Sequence, residues 1–528
     1  MKNVKKITNF EILISHKKFY RTNRSFKKIF SDHSRDDLAL KLSVLSFNHY
    51  EERVFRNWSL RYLCTTPQKT AYAKDKAIYS RLQAWRLWMT LLREWKTTGT
   101  TPSEMQALNV LHEAFSRLND RKYEINDDIN QAFIKAISSQ SRDNHLSKLH
   151  RTQKLFLTDN SLAPFVECLQ TMTGISAKLL INMVYFIVEQ LRRQRRNSIF
   201  SMPRMDEWAI SSKKISEITN IPFSDIELIM NELSFTVEQG RSFADKNSAN
   251  PNEFSILRNK PFLRISDTLY LPIEGKLVEE LMFENIFHRI HQACGKDIMF
   301  FNKFGQEFEK YARDYVKYFL QINERYEIID EFSYGRDGAR SPDIMIAIPN
   351  EKAMIVVEIK SARPLNESLA TDNNPKSVKE SLLKLRYRPW KQAYNAICKI
   401  ITENAHPKIS IDIKYFFICV TMNNFPMHLD NVTITGHGGK DLSAYFYSID
   451  IETFELLVRA SSLTKNYSMR DILLQIHEKK DSMSAKTHIS RFINRIKSVE
   501  NPQDLPYESI KEEAAIAHEA FLKDQRNH

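Results

Sequence analysis

The chain has 528 residues, of which 42% are hydrophobic and 27% are charged, the balance of an ordinary soluble globular protein. This length is too great for one hydrophobic core and predicts two to four domains. Only 11 residues are glycine, which favours a largely helical chain with few tight turns. The five cysteines are scattered without a CxxC pair, which argues against a zinc finger and for a reducing compartment.

The formal net charge of +13 indicates a surface suited to a polyanionic partner, because a protein that neutralises phosphates releases their counterions. Nucleic acid is therefore the expected partner. Residues 1–20 lack the long apolar run and the small-residue cleavage site of a signal peptide. The most apolar stretch, residues 179–188, is too short to span a bilayer and predicts a buried helix. We therefore expect a cytoplasmic protein without a membrane partner.

Residues 1–200 are predicted to form a helical domain, since apolar residues recur at helical spacing in residues 81–95 and 103–118. Basic and aromatic residues alternate in HKKFYRTNRSFKKIF, residues 16–30. Two interpretations are open for this segment: phosphate contacts with aromatic rings stacked on bases, or a solvated helix face above aromatic residues of the core. The helical region is also the expected docking site of any protein partner.

Residues 205–280 have the pattern of a helix-turn-helix or winged-helix module. A short helix, the turn NIPF and a second helix are predicted over residues 211–235, with extended stretches over 253–265 and 267–273. Such a module can lay its second helix in a major groove. This helix, however, carries three carboxylates and no Lys or Arg, so packing or interaction with a protein is the alternative.

The composition changes near residue 300, where alternating helix and strand patterns predict an α/β domain over residues 300–462. Residues 463–528 are predicted to form a helical C-terminal extension. The whole chain is therefore expected to be a multidomain α+β protein. The predicted elements are a helix over 304–321, a strand over 326–334, a hairpin over 342–361, a helix over 379–404, strands over 409–421 and 444–450, and a helix from residue 451.

The predicted hairpin contains charged residues where a buried sheet should be apolar. Asp343 opens its first strand, and Glu358 and Lys360 share one face of the second, because alternate strand residues point the same way. If residues 349–352 form a tight turn, Asp343 lies opposite Glu358, with Cβ atoms about 4.5–5.5 Å apart. Two opposed carboxylates repel each other unless a cation joins them, and hard oxygen ligands favour Mg²⁺ or Mn²⁺ over zinc. Lys360 can then orient a water or stabilise charge on a phosphate.

The sequence Pro-Asp at 342–343, followed after fourteen residues by Glu-Ile-Lys at 358–360, resembles the signature of the PD-(D/E)xK nuclease superfamily. The resemblance covers roughly residues 300–450. It implies a restriction-endonuclease-like core, in which the hairpin belongs to a mixed sheet flanked by helices. It also implies that both carboxylates bind the divalent cation, with the backbone carbonyl of Ile359 as a further ligand.

Members of this superfamily often add a glutamate from the helix before the core. Here Glu309 shares a helix face with apolar residues and is expected to point inward, whereas Glu307 lies on the polar face. Some members also place a glutamine or a basic residue of the following helix near the site. The resemblance therefore implies Gln392 and Lys391 as substrate contacts.

The loop over residues 333–343 adds Arg336 and Arg340 just before the aspartate. These arginines can contact substrate phosphates, or they can be solvated side chains of an ordinary loop. The expected function is that of a Mg²⁺- or Mn²⁺-dependent endodeoxyribonuclease, with a restriction or anti-phage defence role inferred from the kind of protein. Two alternatives stay open: a nucleic-acid-binding protein with a degenerate, inactive nuclease fold, and a protein-interaction scaffold.

Overall fold

The N-terminal part of the chain is helical, as predicted. The computed structural model describes residues 13–47, 49–96, 98–120, 145–194, 203–250, 253–321, 323–361, 380–423, 442–464, 466–479, 485–497 and 506–527. Two predicted helices are confirmed, and each begins after a serine whose hydroxyl accepts a backbone N–H of the first turn. The helices of this part are His16–Tyr20, Phe26–Phe30, Arg35–Ser46, His49–Tyr62, Pro67–Ala73, Arg81–Arg93, Glu104–Leu118, His145–Phe156, Ala163–Thr173, Ala177–Gln194 and Met205–Trp208.

The helix Ala177–Gln194 contains the most apolar stretch of the chain and is buried, as predicted. Val184 and Ile187 are each 1% exposed. Within the described ranges, no single helix has the length and apolar character needed to cross a membrane. The neighbouring helices Ala163–Thr173 and Ala177–Arg193, bent by 79°, meet those requirements only when taken together.

A small four-stranded sheet surrounds the predicted helix-turn-helix pattern. Its strands are β1 Ile210–Ser211, β2 Ser234–Thr236, β3 Phe262–Arg264 and β4 Leu269–Pro272, with a helix at Val237–Lys246. The two short helices are confirmed as Ser212–Thr219 and Phe223–Leu233, joined through Asn220 in the left-handed conformation (φ 58°). The strands lie in the order β1-β4-β3-β2, in which β2 and β3 run parallel and the other pairs antiparallel.

A five-stranded mixed sheet follows the long helix Ile298–Leu320. The strands of this part are β5 Glu327–Ile329, β6 Ser333–Tyr334, β7 Ala339–Arg340, β8 Ile344–Ile348, β9 Ala353–Lys360, β10 Lys414–Thr421 and β11 Ala444–Asp450. The order in the sheet is β11-β10-β9-β8-β5, while β6 and β7 pair with each other. Strands β9, β10 and β11 are parallel, and β8 is antiparallel to both of its neighbours. The long helix and Ile451–Ser462 cover one face, and Arg388–Thr402 covers the other. The mixed sheet flanked by helices is therefore confirmed.

The hairpin of β8 and β9 has the predicted register. A tight turn over residues 349–352 joins the strands, and Ile344 pairs with Val357. The same register, continued by one residue, places Asp343 opposite Glu358. All five residues of β8 and seven of the eight in β9 are buried, which explains why both strands are apolar on both faces.

Two predicted strands are interrupted in the structure. The stretch 253–265 begins with a helix, Ser255–Asn259, whose first backbone N–H donates to the carboxylate of Glu253 over 2.8 Å. Only β3 is extended there. The stretch 326–334 is split into two strands, because β5 pairs with β8 whereas β6 turns away to pair with β7.

The predicted strand over 409–421 begins later, at Lys414. The hydroxyl of Tyr415 donates to the backbone carbonyl of Ser410 over 2.6 Å, which folds the preceding residues back. Ile409 is only 4% exposed, so its apolar character reflects packing beneath the sheet and not strand pairing.

The apolar core is continuous from the first described helices to the last one. One cluster of buried side chains extends from Ile14 to Phe521 and includes one face of the five-stranded sheet. A second, smaller cluster lies between the other face and the helix Arg388–Thr402. Among the described residues, this packing continues across the predicted domain limits. The remaining helical segments are Gly275–Glu280, Leu281–Asn285, Ile286–Ala293, Pro349–Glu351, Leu383–Tyr387, Met469–Glu478, Ala485–Lys497 and Pro506–Asn527.

Candidate active site

Three predicted site residues lie at one end of the five-stranded sheet. Asp343 directly precedes β8, and Glu358 and Lys360 end the neighbouring antiparallel strand β9. Strand residues two apart share a face, so Asp343 shares its face with Met345. Met345 belongs to the cluster beneath the helix Arg388–Thr402. The three charged side chains therefore extend this face at its rim, where the apolar cover ends.

The carboxylate of Asp343 is hydrogen-bonded to the backbone of β9, the strand that carries Glu358. Its Oδ2 accepts a 2.7 Å hydrogen bond from the backbone N–H of Ile359. Burial raises the pKa of Asp343, and the bond from Ile359 opposes that rise because it favours the charged form. The other oxygen, Oδ1, has no hydrogen-bond partner among the described residues.

Glu358 and Lys360 form an ion pair along one face of β9. Lys360 Nζ donates to Glu358 Oε2 over 2.9 Å, and the two side chains are 29% and 4% exposed. Burial and then the charge of Asp343 raise the pKa of Glu358 to about 7, although Lys360 opposes the rise. Ionisation of Glu358 is therefore less favourable here than in water, even with the lysine beside it.

Lys360 remains a cation in this setting. Burial disfavours its charged form, but the carboxylates of Glu358 and Asp343 outweigh burial and raise the pKa of Lys360 above its usual value. A lysine in this state has no free electron pair at neutral pH and cannot act as a general base. It is suited instead to stabilise negative charge.

Glu309 approaches the same group from the helix Ile298–Leu320. A Cβ atom at Gly305, one turn earlier, would lie 3.5 Å from Ser361 Oγ, so this part of the helix lies against the end of β9. Burial and then the charge of Asp343 raise the pKa of Glu309 to about 7. The helix therefore adds a third carboxylate to the field of the first two.

Glu307, on the polar side of the same helix, is engaged elsewhere. Its Oε1 accepts hydrogen bonds from the hydroxyl of Ser161 over 2.7 Å and from the backbone N–H of Ser161 over 3.2 Å. The two glutamates differ by two positions and offer a matched comparison.

The carboxylate oxygens that lack hydrogen bonds at this end of the sheet suit a hard divalent cation. Glu358 Oε1, like Asp343 Oδ1, has no hydrogen bond from the described residues. Cys419 lies beside Glu358 on β10, but its thiol donates to the carbonyl of Leu385 over 3.0 Å, and burial raises its pKa to about 12. Carboxylate oxygens without imidazole or thiolate are the donors that Mg²⁺ and Mn²⁺ prefer. Within the described part of the chain, no three His, Cys, Asp or Glu side chains already surround a space fit for a metal ion.

Sequence reasoning misses two charged residues that border the cluster, Arg313 and Glu331. Arg313 Nη2 donates to the backbone carbonyl of Asp343 over 3.4 Å and lies 3.6 Å from Glu331 Oε2. Arg313 lowers the pKa of Glu309, whereas Glu331 raises it. Arg313 follows Glu309 by four residues, which is a usable signal of a shared helix face. Glu331 has no such signal, because its place depends on how β5 pairs with β8.

The predicted substrate arginines lie on or next to the β6–β7 hairpin. Arg336 is exposed in its turn, and the side chain of Arg340 is 78% exposed with Nη1 3.5 Å from Glu331 Oε1. The hairpin is tied to the covering helix, since Lys399 Nζ donates to both oxygens of Asp337 over 2.9 Å. Both arginines are thus solvent-accessible on a hairpin that leads directly into the aspartate of the site.

Lys391 and Gln392 lie on the exposed side of the helix Arg388–Thr402, with no contact to the carboxylates among the described residues. The basic residue that the same region turns inward is Arg386, which is 4% exposed. Its charge lowers the pKa of Cys419, as that of Lys360 does. Sequence reasoning misses Arg386 because it precedes the regular helix, in a wider π-helical turn.

The structure therefore places Asp343, Glu358 and Lys360 at one end of the sheet, with Glu309 near enough for the charge of Asp343 to raise its pKa. The side chains of Arg336, Arg340, Lys391 and Gln392 are exposed. No family model, curated protein or solved structure matches this chain, so the geometry at this end of the sheet is the guide to its function.

Proposed function

We propose that the chain is a divalent-metal-dependent nuclease that cleaves DNA, with a restriction-endonuclease-like core over residues 300–462. The observation that carries the proposal is the meeting of Asp343 and Glu358 across two antiparallel strands, with Lys360 beside them. Buried carboxylates of like charge destabilise each other unless a cation joins them. This arrangement therefore favours the uptake of a cation from solution.

Asp343, Glu358 and the carbonyl of Ile359, together with Glu309, would hold Mg²⁺ or Mn²⁺, which supplies Lewis acidity toward a phosphate oxygen and an activated water. Lys360 stays charged and would stabilise the negative charge that develops on the phosphate during hydrolysis. Asp343 keeps its orientation through the backbone of Ile359, which limits the reorganisation that binding requires.

Substrate would meet the chain through exposed cations beside this cluster. Arg336 and Arg340, both exposed, would contact substrate phosphates, and such contacts position a duplex without reading its sequence. The net charge of +13 adds a long-range attraction for polyanions. The choice of DNA over RNA follows from the resemblance of the motif to restriction and repair nucleases, as does a role in restriction or defence.

For residues 205–280 we infer a winged-helix module that binds a protein and not a DNA groove. The helix Phe223–Leu233 contains no Lys or Arg, and it exposes Phe223 by 39% and Leu228 by 43%. Apolar side chains next to carboxylates disfavour contact with phosphates. This module would recruit a protein partner or regulate the nuclease, while the nuclease core acts on DNA.

The test is a cleavage assay with purified full-length chain, plasmid and linear DNA, and Mg²⁺ or Mn²⁺. We expect cleavage that EDTA abolishes and that Asp343→Asn and Lys360→Ala remove without unfolding the protein. Asp337→Asn is the matched control, because this aspartate is 65% exposed in the neighbouring hairpin and is paired with Lys399.

Two outcomes would replace the proposal with a different function. If the wild type cleaves neither DNA nor RNA with either metal but binds DNA at low salt, an inactive nuclease fold that binds nucleic acid is the correct interpretation. If it also fails to bind, a protein-interaction scaffold is correct.

A further inference from the structure

A dense group of cations lies on the first two described helices, far along the chain from the carboxylate cluster. Residues 16–30 contain six Lys and Arg residues and no Asp or Glu, and all six are exposed. The helices His16–Tyr20 and Phe26–Phe30 both pack against Glu104–Leu118. We call these six residues and the neighbouring Lys69 the basic patch: Lys17, Lys18, Arg21, Arg24, Lys27, Lys28 and Lys69.

Hydrogen bonds through Glu113 and Arg24 link the two short helices. Glu113 accepts from His16 Nε2 over 3.2 Å and from Arg24 Nη1 over 3.0 Å, and Arg24 Nη2 donates to the carbonyl of Lys28 over 3.2 Å. Glu113 thereby connects the first helix, the linker and the second helix. The exposed lysines of both helices consequently lie on segments that these bonds link and that pack against Glu104–Leu118.

The aromatic residues of the same segment are buried or half-buried. Phe19 and Phe30 are 1% and 0% exposed. The hydroxyl of Tyr20 is hydrogen-bonded to His112 Nδ1 over 2.7 Å, and the ring of Phe26 stacks on that of Phe30. The patch therefore offers mainly charge to a partner, since its aromatic rings lie in or against the core.

Lys69 adds a cation from a separate helix, Pro67–Ala73. Its Nζ lies 4.9 Å from the ring centroid of Phe19, directly beneath the first helix of the patch. Two carboxylates lie beside the patch: Glu113, which is paired with Arg24 of the patch, and Asp120, which Arg117 contacts over 3.0 Å. Glu113 and Asp120 therefore offset part of the positive charge, and the seven cations of the patch outnumber them.

We propose that the basic patch is a second nucleic-acid contact, which binds the phosphate backbone of double-stranded DNA independently of sequence. A single-strand platform needs accessible aromatic rings on which bases stack, whereas Phe19 and Phe30 are buried and Tyr20 and Phe26 are half-buried against neighbouring rings. An anionic membrane surface needs apolar side chains to insert, and no residue of 16–30 is among the exposed large hydrophobic residues. The choice of DNA as the polyanion rests on the proposed function; the duplex geometry rests on the patch itself.

The test measures binding separately from cleavage. The Asp343→Asn protein, in EDTA, is titrated with a 30-base-pair duplex at several salt concentrations. In the patch variant, Lys17, Lys18, Lys27 and Lys28 become Gln. The matched control removes four exposed lysines outside the patch, Lys178, Lys246, Lys479 and Lys523, so that both proteins have a formal net charge of +9 instead of +13.

Each phosphate contact contributes about 0.9 to the slope of log affinity against log salt concentration. We expect the slope of the patch variant to fall by about three to four and its affinity to drop at least about tenfold, while the control retains the slope of the parent. Equal slopes and affinities in the two variants would overturn the proposal. Tighter binding of the parent to a single strand of equal phosphate number, or to phosphatidylserine vesicles, would overturn it too.

The patch and the nuclease can fail independently. If the wild type cleaves nothing but binds the duplex through the patch, the DNA-binding proposal is supported and the nuclease proposal is rejected. If the wild type cleaves DNA with metal but the patch variant binds like the control, the nuclease proposal is supported and the DNA-binding proposal for the patch is rejected.

Discussion

The carboxylate of Asp343 accepts a 2.7 Å hydrogen bond from the backbone N–H of Ile359, although 16 positions separate the two residues in the chain. The bond ties the loop before β8 to the end of β9 and leaves the second carboxylate oxygen for another partner. The position of this negative charge is therefore set by the backbone of the neighbouring strand. Charge and geometry can consequently be changed separately at this residue.

Asp343→Asn keeps an oxygen that can accept the Ile359 bond but removes the charge. We expect DNA cleavage to fall at least about 100-fold, because a neutral amide is a poor ligand for a hard cation. The thermal midpoint in EDTA should stay equal or rise, since burial disfavours the ionised form of this aspartate. Plasmid nicking rates and circular-dichroism melting check both expectations. An Asn variant with wild-type nicking rates would exclude Asp343 from the catalytic group.

The metal-free protein should lose stability as the pH rises from about 4.5 to about 7. The pKa of Glu358 is raised from 4.5 to about 7, so the folded state binds this proton more tightly than the unfolded state. The associated stability is complete below the unfolded pKa and is lost as the pH passes the folded one. Urea unfolding in EDTA at pH 5, 6, 7 and 8 measures this loss in the free energy of unfolding. The difference between wild type and Glu358→Gln isolates this residue, and a difference that does not change with pH would contradict the prediction.

Mg²⁺ should stabilise the protein more at pH 8 than at pH 5. The carboxylates of Glu358 and Glu309, whose pKa values are raised to about 7, must lose their protons before they can bind a metal. Binding to the folded state alone then raises the unfolding temperature. Differential scanning fluorimetry with and without Mg²⁺ at the two pH values gives the shifts. Asp343→Asn should show a smaller shift at pH 8, and an equal shift in both proteins would place the metal elsewhere.

Glu309→Gln and Glu307→Gln make the same chemical change two residues apart on one helix. Glu309 lies in the field of Asp343, whereas Glu307 accepts hydrogen bonds from Ser161. We expect Glu309→Gln to slow cleavage about 10- to 100-fold and to raise the Mg²⁺ concentration at half-maximal rate. Glu307→Gln should cleave within about twofold of the wild type and lose at most about 1 kcal/mol of stability. Reversed effects would show that the helix presents its other face to the substrate.

A buried ion pair joins the N-terminal helices to the helix after β11. Arg151 Nε and Nη2 donate to the two oxygens of Glu455 over 2.7 and 2.9 Å, each side chain is 2% exposed, and Tyr311 donates to the same carboxylate. Arg151→Met should cost about 3–5 kcal/mol in the free energy of unfolding, because it leaves a buried charge unpaired. Adding Glu455→Gln should recover most of that loss in urea unfolding. A double variant as unstable as Arg151→Met alone would show that packing, and not the unpaired charge, causes the loss.

Much of the candidate site follows from short-range periodicity. The register that places Asp343 opposite Glu358 follows from a tight turn at 349–352 and the two-residue period of a strand, and both appear in the structure. The preference for Glu309 follows from the period of a helix. Such relationships extend over a few residues and are therefore present in the sequence itself.

Other features depend on packing between distant segments. Glu331 and Arg386 border the site because β5 pairs with β8 and because the segment at 383–387 widens before the covering helix. The shortened strand at 409–421 likewise results from the bond between Tyr415 and Ser410 and from burial of Ile409. No local pattern encodes these contacts, since each gains its free energy only when the whole core forms.

The sequence alone determined the charged residues, their spacing along strands and helices, and hence a hairpin that carries two carboxylates and a lysine. The tertiary structure decided which partners those residues meet: Ile359 for Asp343, Ser161 for Glu307, and core aromatics beneath the lysines of residues 16–30. The physical reason is the distance along the chain over which each kind of interaction acts. Backbone preferences act within a turn or a strand, whereas burial and electrostatic fields depend on segments that only the closed core brings together.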